Sequence, residues 1–460
     1  MDDLFLQIYY TFIAISISTY FIFQYKKNKI DELELVLYSF ACQSFNVAFI
    51  GSTITPFFFI SYFAFFISIK TFINKGPRLL NNSYKYFIPP VLSGIGSLFY
   101  FLFGDSYYNI SISDLLLSIL YFQVKFFLPL LSVLYFISKS YTFNINKIET
   151  TILTIAKYSI VLAIFQFLFY IATNSDFLIE LIGAKSRYIY EFSEFQLVRV
   201  QALFTEPKNF AAFLGISLPL FLKYKKTVWF ILSIVCGLLT NGQTFYAVGL
   251  SAIIGYLFFF NINSLRIKIL SGVLIIFLFF TAISILRYTI SEFYLNNSDN
   301  YIVKMILGRG IDRFDLSDEK IDKNILLGIP LQSDLELPMV LFFYNHPYSL
   351  LAGIGPANLT FISPEYWSGQ WNYELLLNRK LMGHHLNMRW LYYISIFGLI
   401  GFIFYFHLLT KIGSQNSSIK NYYSFLWLAI FFIEVEIILL IYFIAIKKID
   451  GNNKMENKIR

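Results

Sequence analysis

The chain has 460 residues, of which 57% are apolar, 20% are aromatic and 14% are charged. Soluble domains carry about a quarter of charged residues, so this composition excludes an ordinary soluble protein. Lys and Arg number 36 against 28 Asp and Glu, which gives a net charge of +8. The surplus falls in short segments between long apolar blocks, and this pattern favours orientation in a bilayer over nucleic-acid binding.

Long apolar blocks recur along the whole sequence. A helix crosses the roughly 30 Å hydrocarbon core in about 17 to 25 residues, and about twelve blocks approach that length. Backbone amides in lipid must be paired within the chain, so each block is predicted to be an α-helix. The sequence thus predicts an all-α polytopic membrane protein, with 1–460 as a single membrane domain. The predicted spans are 4–24, 33–50, 54–70, 87–103, 114–138, 150–173, 208–222, 227–240, 243–260, 267–287, 389–409 and 421–446.

Basic residues alternate between the connections that join these spans. Every odd-numbered connection carries Lys or Arg, whereas the short even-numbered ones carry neither. Because short cytoplasmic loops are enriched in basic residues, the odd connections are predicted inside and the N-terminus outside. The basic tail after Lys447 disagrees with twelve full crossings, and a re-entrant hairpin near Glu434 and Glu436 would bring it inside.

Two even-numbered connections are long, at residues 174–207 and 288–388. Both are predicted on the extracytoplasmic side, where long loops are the natural place to look for function. The larger loop contains Gly, Pro, Trp and His, and 11 of the 28 acidic residues. It is predicted to form a folded cap over a membrane cavity.

The first long loop ends in a cation and a carboxylate beside an apolar run. Arg199 is followed by Phe204, Glu206 and Pro207. Proline is tolerated in the first helical turn, and a carboxylate suits the positive end of the helix dipole. The purely structural interpretation is a helix start at which Glu206 is the cap, with an interfacial Arg199.

This stretch resembles the segment by which bacterial O-antigen polymerases (Wzy) and O-antigen ligases are identified: Arg, a short spacer, Phe, one residue and Glu-Pro before a helix. The interval from Arg199 to Gly215 also resembles a spacing in the third extracytoplasmic loop of the polymerases. Residues 238–244, LLTNGQT, resemble the family's next helix end, although its Ser-Arg is absent.

The larger loop carries two further points of resemblance. Residues 346–358, HPYSLLAGIGPAN, are similar to the family's Pro-rich approach to a Gly-x-Gly turn. Relatives commonly have a His eleven residues before the first Gly of a following helix. Here that position is Asn387, counted back from Gly398, and His384 and His385 lie three and two residues earlier.

The resemblance implies a GT-C-like glycosyltransferase of the bacterial inner membrane that takes sugar from an undecaprenyl-diphosphate-linked oligosaccharide and needs no cofactor. The expected activity is repeat-unit polymerisation for O-antigen or capsular polysaccharide. Membrane lipid and a chain-length regulator are candidate partners, and no nucleic acid is expected. The alternatives are an O-antigen ligase, which transfers glycan to lipid A core, and a lipid-linked oligosaccharide flippase.

The chemistry of such a transfer indicates which side chains are needed. A departing diphosphate needs fixed cations, and an acceptor hydroxyl needs a proton acceptor with a pKa near neutrality. The catalytic candidates are Arg199, His384, His385 and, as second choice of base, Glu206. The candidates for binding the diphosphate are Arg187, Arg309, Arg313 and Arg389. The simpler alternatives are solvated ion pairs of Arg309 and Arg313 with nearby Asp, and interfacial histidines.

Three smaller expectations complete the sequence analysis. Aromatic residues of the larger loop, among them Tyr366 and Trp367, suit either sugar stacking or the interfacial aromatic belt. Lys125 and Lys157 lie inside spans and are expected to face a partner, a cavity or a helix end. No metal site is predicted, because His384-His385 lacks a spaced third ligand and the two cysteines lie in apolar stretches.

Overall fold

A computed structural model describes most of the helical framework. The described residues are 2–42, 45, 47–49, 52–75, 88–103, 112–122, 132–133, 136, 145–178, 189–192, 195–261, 293, 296–297, 303, 325–326, 329–330, 336–355, 366, 389–410 and 422. Helix dominates them, which confirms the predicted helical class. Predicted span 267–287 lies wholly outside this set, and 114–138 and 421–446 lie largely outside it.

Most of the described helices follow the predicted apolar blocks, whereas the two at Glu336–Asn345 and Pro347–Ala352 lie within the predicted loop 288–388. The described helices are α1 (Asp2–Lys26), α2 (Glu32–Ala41), α3 (Pro56–Lys75), α4 (Ile88–Phe103), α5 (Ile112–Phe122), α6 (Ile145–Thr173), α7 (Pro207–Lys223), α8 (Thr227–Leu239), α9 (Gln243–Tyr256, continued by a π-helical turn at Leu257–Asn261), α10 (Glu336–Asn345), α11 (Pro347–Ala352) and α12 (Arg389–Thr410).

Three short antiparallel hairpins accompany the helices. They pair β1 (Val47–Phe49) with β2 (Ser52–Ile54), β3 (Ile189–Phe192) with β4 (Phe195–Val198), and β5 (Ile325–Leu326) with β6 (Ile329–Pro330). The first hairpin corrects a predicted boundary. A helix through residue 50 is wrong, because α2 ends at Ala41 and the chain turns back through β1, which pairs Val47 with Ile54.

By length and composition, one described helical segment, Lys147–Thr173 of α6, is apolar enough to cross a membrane. Four shorter apolar segments also occur within the described residues, at Pro56–Lys70, Thr227–Leu239, Thr244–Phe260 and Leu391–Ile403. A number of spans near twelve therefore stays a prediction.

Backbone contacts divide the chain into two compact units. The first unit comprises Met1–Asn82, Leu128–Phe259 and Ile412–Arg460, and the second comprises Ser83–Phe127 and Phe260–Lys411. A single membrane domain over the whole chain stays a prediction.

Helix α7 is the centre of the first unit. Residues 210–221 are all buried, and a helix that is apolar on every side belongs in an interior. It packs closely on α9, where a Cβ added to Gly215 would lie 2.8 Å from the backbone nitrogen of Gly249. Small residues that let two backbones approach are the usual means of helix packing in membranes.

Ion pairs gather the odd-numbered connections at one end of the first unit. Lys147 Nζ lies 2.6 Å from Asp31 Oδ2 and 3.2 Å from Glu34 Oε2. Buried Glu149 bonds Lys223 Nζ and, at 2.8 Å, accepts a hydrogen bond from the Tyr224 hydroxyl. The first, fifth and seventh connections therefore lie at a common end, as the alternation of basic residues predicts.

The second unit contains a helix interrupted in its middle. Gly398 of α12 has φ 68° and ψ 172°, outside the helical region, and a Cβ there would lie 2.2 Å from the Leu351 carbonyl oxygen. Only glycine adopts this conformation in so little space. The Ile354 amide donates to the Ser395 carbonyl at 2.8 Å, so the segment after α11 pairs with backbone exposed by the break.

Replacing Gly215 with Leu tests the packing of α7 on α9. The new side chain would collide with the α9 backbone, and overpacking of this kind costs about 1–3 kcal/mol. The matched control is Ala247→Leu, which adds the same side chain at an exposed position of α9. Thermal unfolding of the purified protein in detergent should show a lower midpoint for Gly215→Leu only. Equal midpoints for the two variants would contradict the close approach.

Candidate functional site

Arg199 binds the turn between α8 and α9. Its Nε donates to the Thr240 carbonyl at 2.8 Å and its Nη2 donates to the Asn241 carbonyl at 3.0 Å. The side chain is 5% exposed. Carbonyls at the C-terminal end of a helix lack intrahelical donors, and a cation is favourable there. We call Arg199, Thr240 and Asn241 the Arg199 junction.

The Arg199 junction unites two motifs that the sequence presents 40 residues apart. Residues 199–207 carry the Arg and Glu-Pro features, and residues 238–244 carry the second feature of the family resemblance. The Val200 amide also donates to the Leu239 carbonyl at 3.3 Å, so the contact continues along the backbone. The sequence gives no sign of this pairing, because nothing in either motif specifies its partner.

A glutamine of α6 also binds the segment that follows Arg199. Gln166 Oε1 accepts hydrogen bonds from the amides of Gln201 and Ala202, at 3.1 and 3.2 Å. Its Nε2 donates to Asp176 Oδ2 at 3.0 Å, and Asp176 Oδ1 accepts from the Leu178 amide. Gln166 and Asp176 are buried. Because buried polar groups are costly unless paired, this network fixes residues 199–202 in place.

The backbone at Ala202 is held in a strained conformation by these bonds. Its φ is 49°, in the left-handed region that costs a non-glycine residue about 1–2 kcal/mol. Such conformations persist only where the surroundings over-determine them, and they are common at functional sites. Sequence reasoning missed Gln166 and Asp176. The signal for Gln166 was a polar side chain within an otherwise apolar span.

Glu206 and Pro207 begin α7, as the sequence predicts. Glu206 is the residue before the first turn, with φ −143° and ψ 147°, and Pro207 occupies the first turn. The Glu206 carboxylate pairs with Lys208 Nζ at 3.3 Å instead of capping the helix. The predicted helix start is therefore confirmed, the predicted side-chain cap is wrong, and a role for Glu206 as base stays a prediction.

Of the six remaining predicted site residues, one, Arg389, is among the described residues. The backbone of Arg389 begins α12 in the second unit. The other five lie outside the described residues: Arg187, Arg309, Arg313, His384 and His385. Convergence of cations on a diphosphate stays a prediction.

Polar and aromatic side chains from two segments meet in the second unit. His346 lies between α10 and α11, with its ring centroid 4.8 Å from that of Phe342 and 5.9 Å from that of Tyr348. The Tyr366 hydroxyl accepts a hydrogen bond from Asn345 Nδ2 at 2.9 Å. The Tyr366 ring lies 5.7 Å from Phe342 and 6.4 Å from His346. We call Phe342, Asn345, His346, Tyr348 and Tyr366 the aromatic cluster.

The predictions for the two lysines that lie inside predicted spans have different outcomes. Lys157 Nζ lies 5.8 Å from the centre of the Trp229 ring, within range of a cation–π interaction. This confirms that Lys157 faces a partner, whereas Lys125 is outside the described residues.

Possible metal ligands, the cysteine thiols and the Tyr224 hydroxyl also bear on the chemistry available. Among the described residues, no three His, Cys, Asp or Glu side chains are grouped so that they could hold a metal ion. Both cysteines, Cys42 and Cys236, are buried thiols. At the Lys147 end, burial and the neighbouring Glu149 carboxylate raise the pKa of the Tyr224 hydroxyl, so this group stays protonated at physiological pH.

Comparisons with family models, with curated proteins and with solved structures found no match to this chain. The likeness to O-antigen polymerases and ligases therefore depends on the sequence motifs, two of which meet in the Arg199 junction.

Arg199→Ala is expected to lower the stability of the first unit. The substitution removes two charge-assisted hydrogen bonds to backbone carbonyls, and each bond of this kind is worth about 1.5–3 kcal/mol. Lys208→Ala is the control, because it removes a neighbouring cation from a partly exposed ion pair worth about 0–1 kcal/mol. Thermal unfolding in detergent measures both. A larger loss for Lys208→Ala would contradict the assignment of the Arg199 junction.

Proposed function

We propose that this chain is a glycosyltransferase of the bacterial inner membrane that joins undecaprenyl-diphosphate-linked repeat units into O-antigen or capsular polysaccharide. The observation that carries the proposal is the Arg199 junction, in which two motifs similar to those of O-antigen polymerases contact each other. The proposed architecture is GT-C-like, with about twelve spans and the 288–388 loop as an extracytoplasmic cap.

The surfaces of both units, each considered by itself, support a membrane location. Phe12 of α1 is 68% exposed, and Val228 of α8 is 67% exposed. Scattered apolar residues are normal on soluble proteins, but large contiguous apolar surfaces indicate a membrane or a partner. Exposed large apolar side chains recur on α1, α3, α4, α5, α6, α8, α9 and α12. Lipid is the environment that suits all of these helices.

The distribution of charge along α6 and α7 supports the orientation. Lys147 and Lys223 mark one end of the first unit, and basic residues favour the cytoplasmic side. Each helix then runs to the opposite end, where Gln166 and the start of α7 hold residues 199–206. The Arg199 junction is therefore proposed at the outer face, where lipid-linked repeat units are joined.

The proposed chemistry needs a cation for the leaving group and a base for the acceptor. Arg199 supplies a positive charge within the segment that leads into α7, and the N-terminal end of a helix also favours anions. Undecaprenyl diphosphate is the proposed leaving group. His384 or His385 is the proposed base, with Glu206 as second choice and with Arg187, Arg309, Arg313 and Arg389 as further diphosphate ligands. No cofactor is proposed, and a chain-length regulator is the proposed protein partner.

Arg199→Ala is expected to abolish the polysaccharide ladder of the source bacterium and to leave glycan of a single repeat unit at the cell surface. Loss of the cation removes stabilisation of the departing diphosphate. Gel electrophoresis of surface glycan measures the effect, with membrane protein levels compared by immunoblot. Lys208→Ala is the control and should keep the ladder. An unchanged ladder in a well-expressed Arg199→Ala strain would remove Arg199 from the site.

The interruption of α12 at Gly398 favours a flippase as the second candidate. Broken helices that expose backbone within a span are typical of transporters. A chain that flips lipid-linked oligosaccharide would leave no repeat units at the surface when it is deleted. A polymerase deletion leaves single repeat units there. A ligase deletion leaves full-length polymer on undecaprenyl diphosphate and none on lipid A core.

A further inference from the structure

We propose that the aromatic cluster of the second unit binds sugar rings of the glycan. The inference rests on the proposed function for the identity of the glycan. The binding of a sugar ring is argued from the side chains themselves.

The first argument is the kind of surface that the aromatic cluster presents. Sugars bind through the apolar C–H face of the ring, which packs on aromatic rings, and through hydroxyl groups, which need neutral donors and acceptors. The aromatic cluster offers the phenol rings of Tyr348 and Tyr366, and Tyr348 is 42% exposed. Asn345 is also exposed and His346 is partly exposed.

The second argument is the geometry of the polar groups. The Asn345 amide donates to the Tyr366 hydroxyl at 2.9 Å. An amide that donates through its nitrogen still presents a carbonyl oxygen, and a phenol that accepts still has a proton to donate. One acceptor and one donor therefore stand side by side, a spacing that suits neighbouring hydroxyl groups of one sugar ring.

The rings of the aromatic cluster are also held in place by packing against one another. Phe342 is the buried member of the cluster, and its ring contacts both His346 and Tyr366. Tyr366 comes from a different part of the loop, twenty residues beyond His346 along the chain. Rings held edge to face by neighbours lose little conformational freedom when a ligand binds. The five members of the aromatic cluster include no Lys, Arg, Asp or Glu, so sugar suits the cluster better than diphosphate.

The experiment measures sugar binding directly on the full-length protein in nanodiscs. The probe is the lipid-free repeat-unit oligosaccharide released by mild hydrolysis from the surface polysaccharide of the source bacterium. Saturation-transfer NMR and calorimetry give the dissociation constant. The wild type is expected to bind, and Asn345→Ala and Tyr366→Phe should each weaken binding about fivefold, the loss of one hydrogen bond. Tyr348→Ala removes a stacking ring and should weaken binding by a similar factor.

The control is Tyr344→Ala, which removes the exposed aromatic side chain next to Asn345 in α10, outside the aromatic cluster. It should bind as the wild type does. Equal binding by all of the variants, or no binding by the wild type, would overturn the proposal. Equal weakening by Tyr344→Ala would also overturn it, since that result indicates a general role of interfacial aromatic residues.

Polymerisation assays on the same proteins separate this inference from the proposed function. A wild type that binds the oligosaccharide through the aromatic cluster but forms no polymer keeps the sugar site and overturns the polymerase. If the wild type does not bind the oligosaccharide, and the Asn345 and Tyr366 variants polymerise normally, the sugar site alone is overturned.

Discussion

The hydrogen bonds from Arg199 to the Thr240 and Asn241 carbonyls are the constraint on which the Arg199 end of the first unit depends. A buried guanidinium is tolerated only when acceptors surround it, and the end of α8 supplies carbonyls that no helical amide can reach. The same contact helps to position the start of α7, because only six residues separate Arg199 from Glu206. Together with Gln166, this cation holds the loop that leads into the next helix.

The opposite end of the first unit is organised by the same physical rule with different residues. Glu149 is buried and is bonded by Lys223 and Tyr224, and Lys147 pairs with Asp31 and Glu34. Between the two ends, α7 packs closely on α9 at Gly215, so the helices are fixed at both ends and in the middle. Polar interactions at the helix ends and small residues between them are therefore what hold this helix bundle together.

Local sequence signals predicted the parts of the fold that depend on local physics. The apolar blocks located the helices, and Glu206-Pro207 marked the start of α7 because proline has a fixed φ and lacks an amide proton. The end of α2 at Ala41, the break at Gly398 and the Gln166–Asp176 network were not predicted. The break at Gly398 and the bonds from Gln166 to residues 201 and 202 depend on partners far along the chain, as when the Ile354 amide meets the Ser395 carbonyl. For the candidate site, the sequence selected Arg199 for its charge, and only the fold revealed its contact with the second motif.

The central claim is that the chain forms glycosidic bonds between lipid-linked repeat units. The most direct measurement incubates the purified protein in liposomes with undecaprenyl-diphosphate-linked repeat unit and follows both glycan length and free undecaprenyl diphosphate. The account predicts glycans of two or more repeat units, with one undecaprenyl diphosphate released for each bond formed. Movement of intact substrate across the bilayer without release of undecaprenyl diphosphate would contradict it.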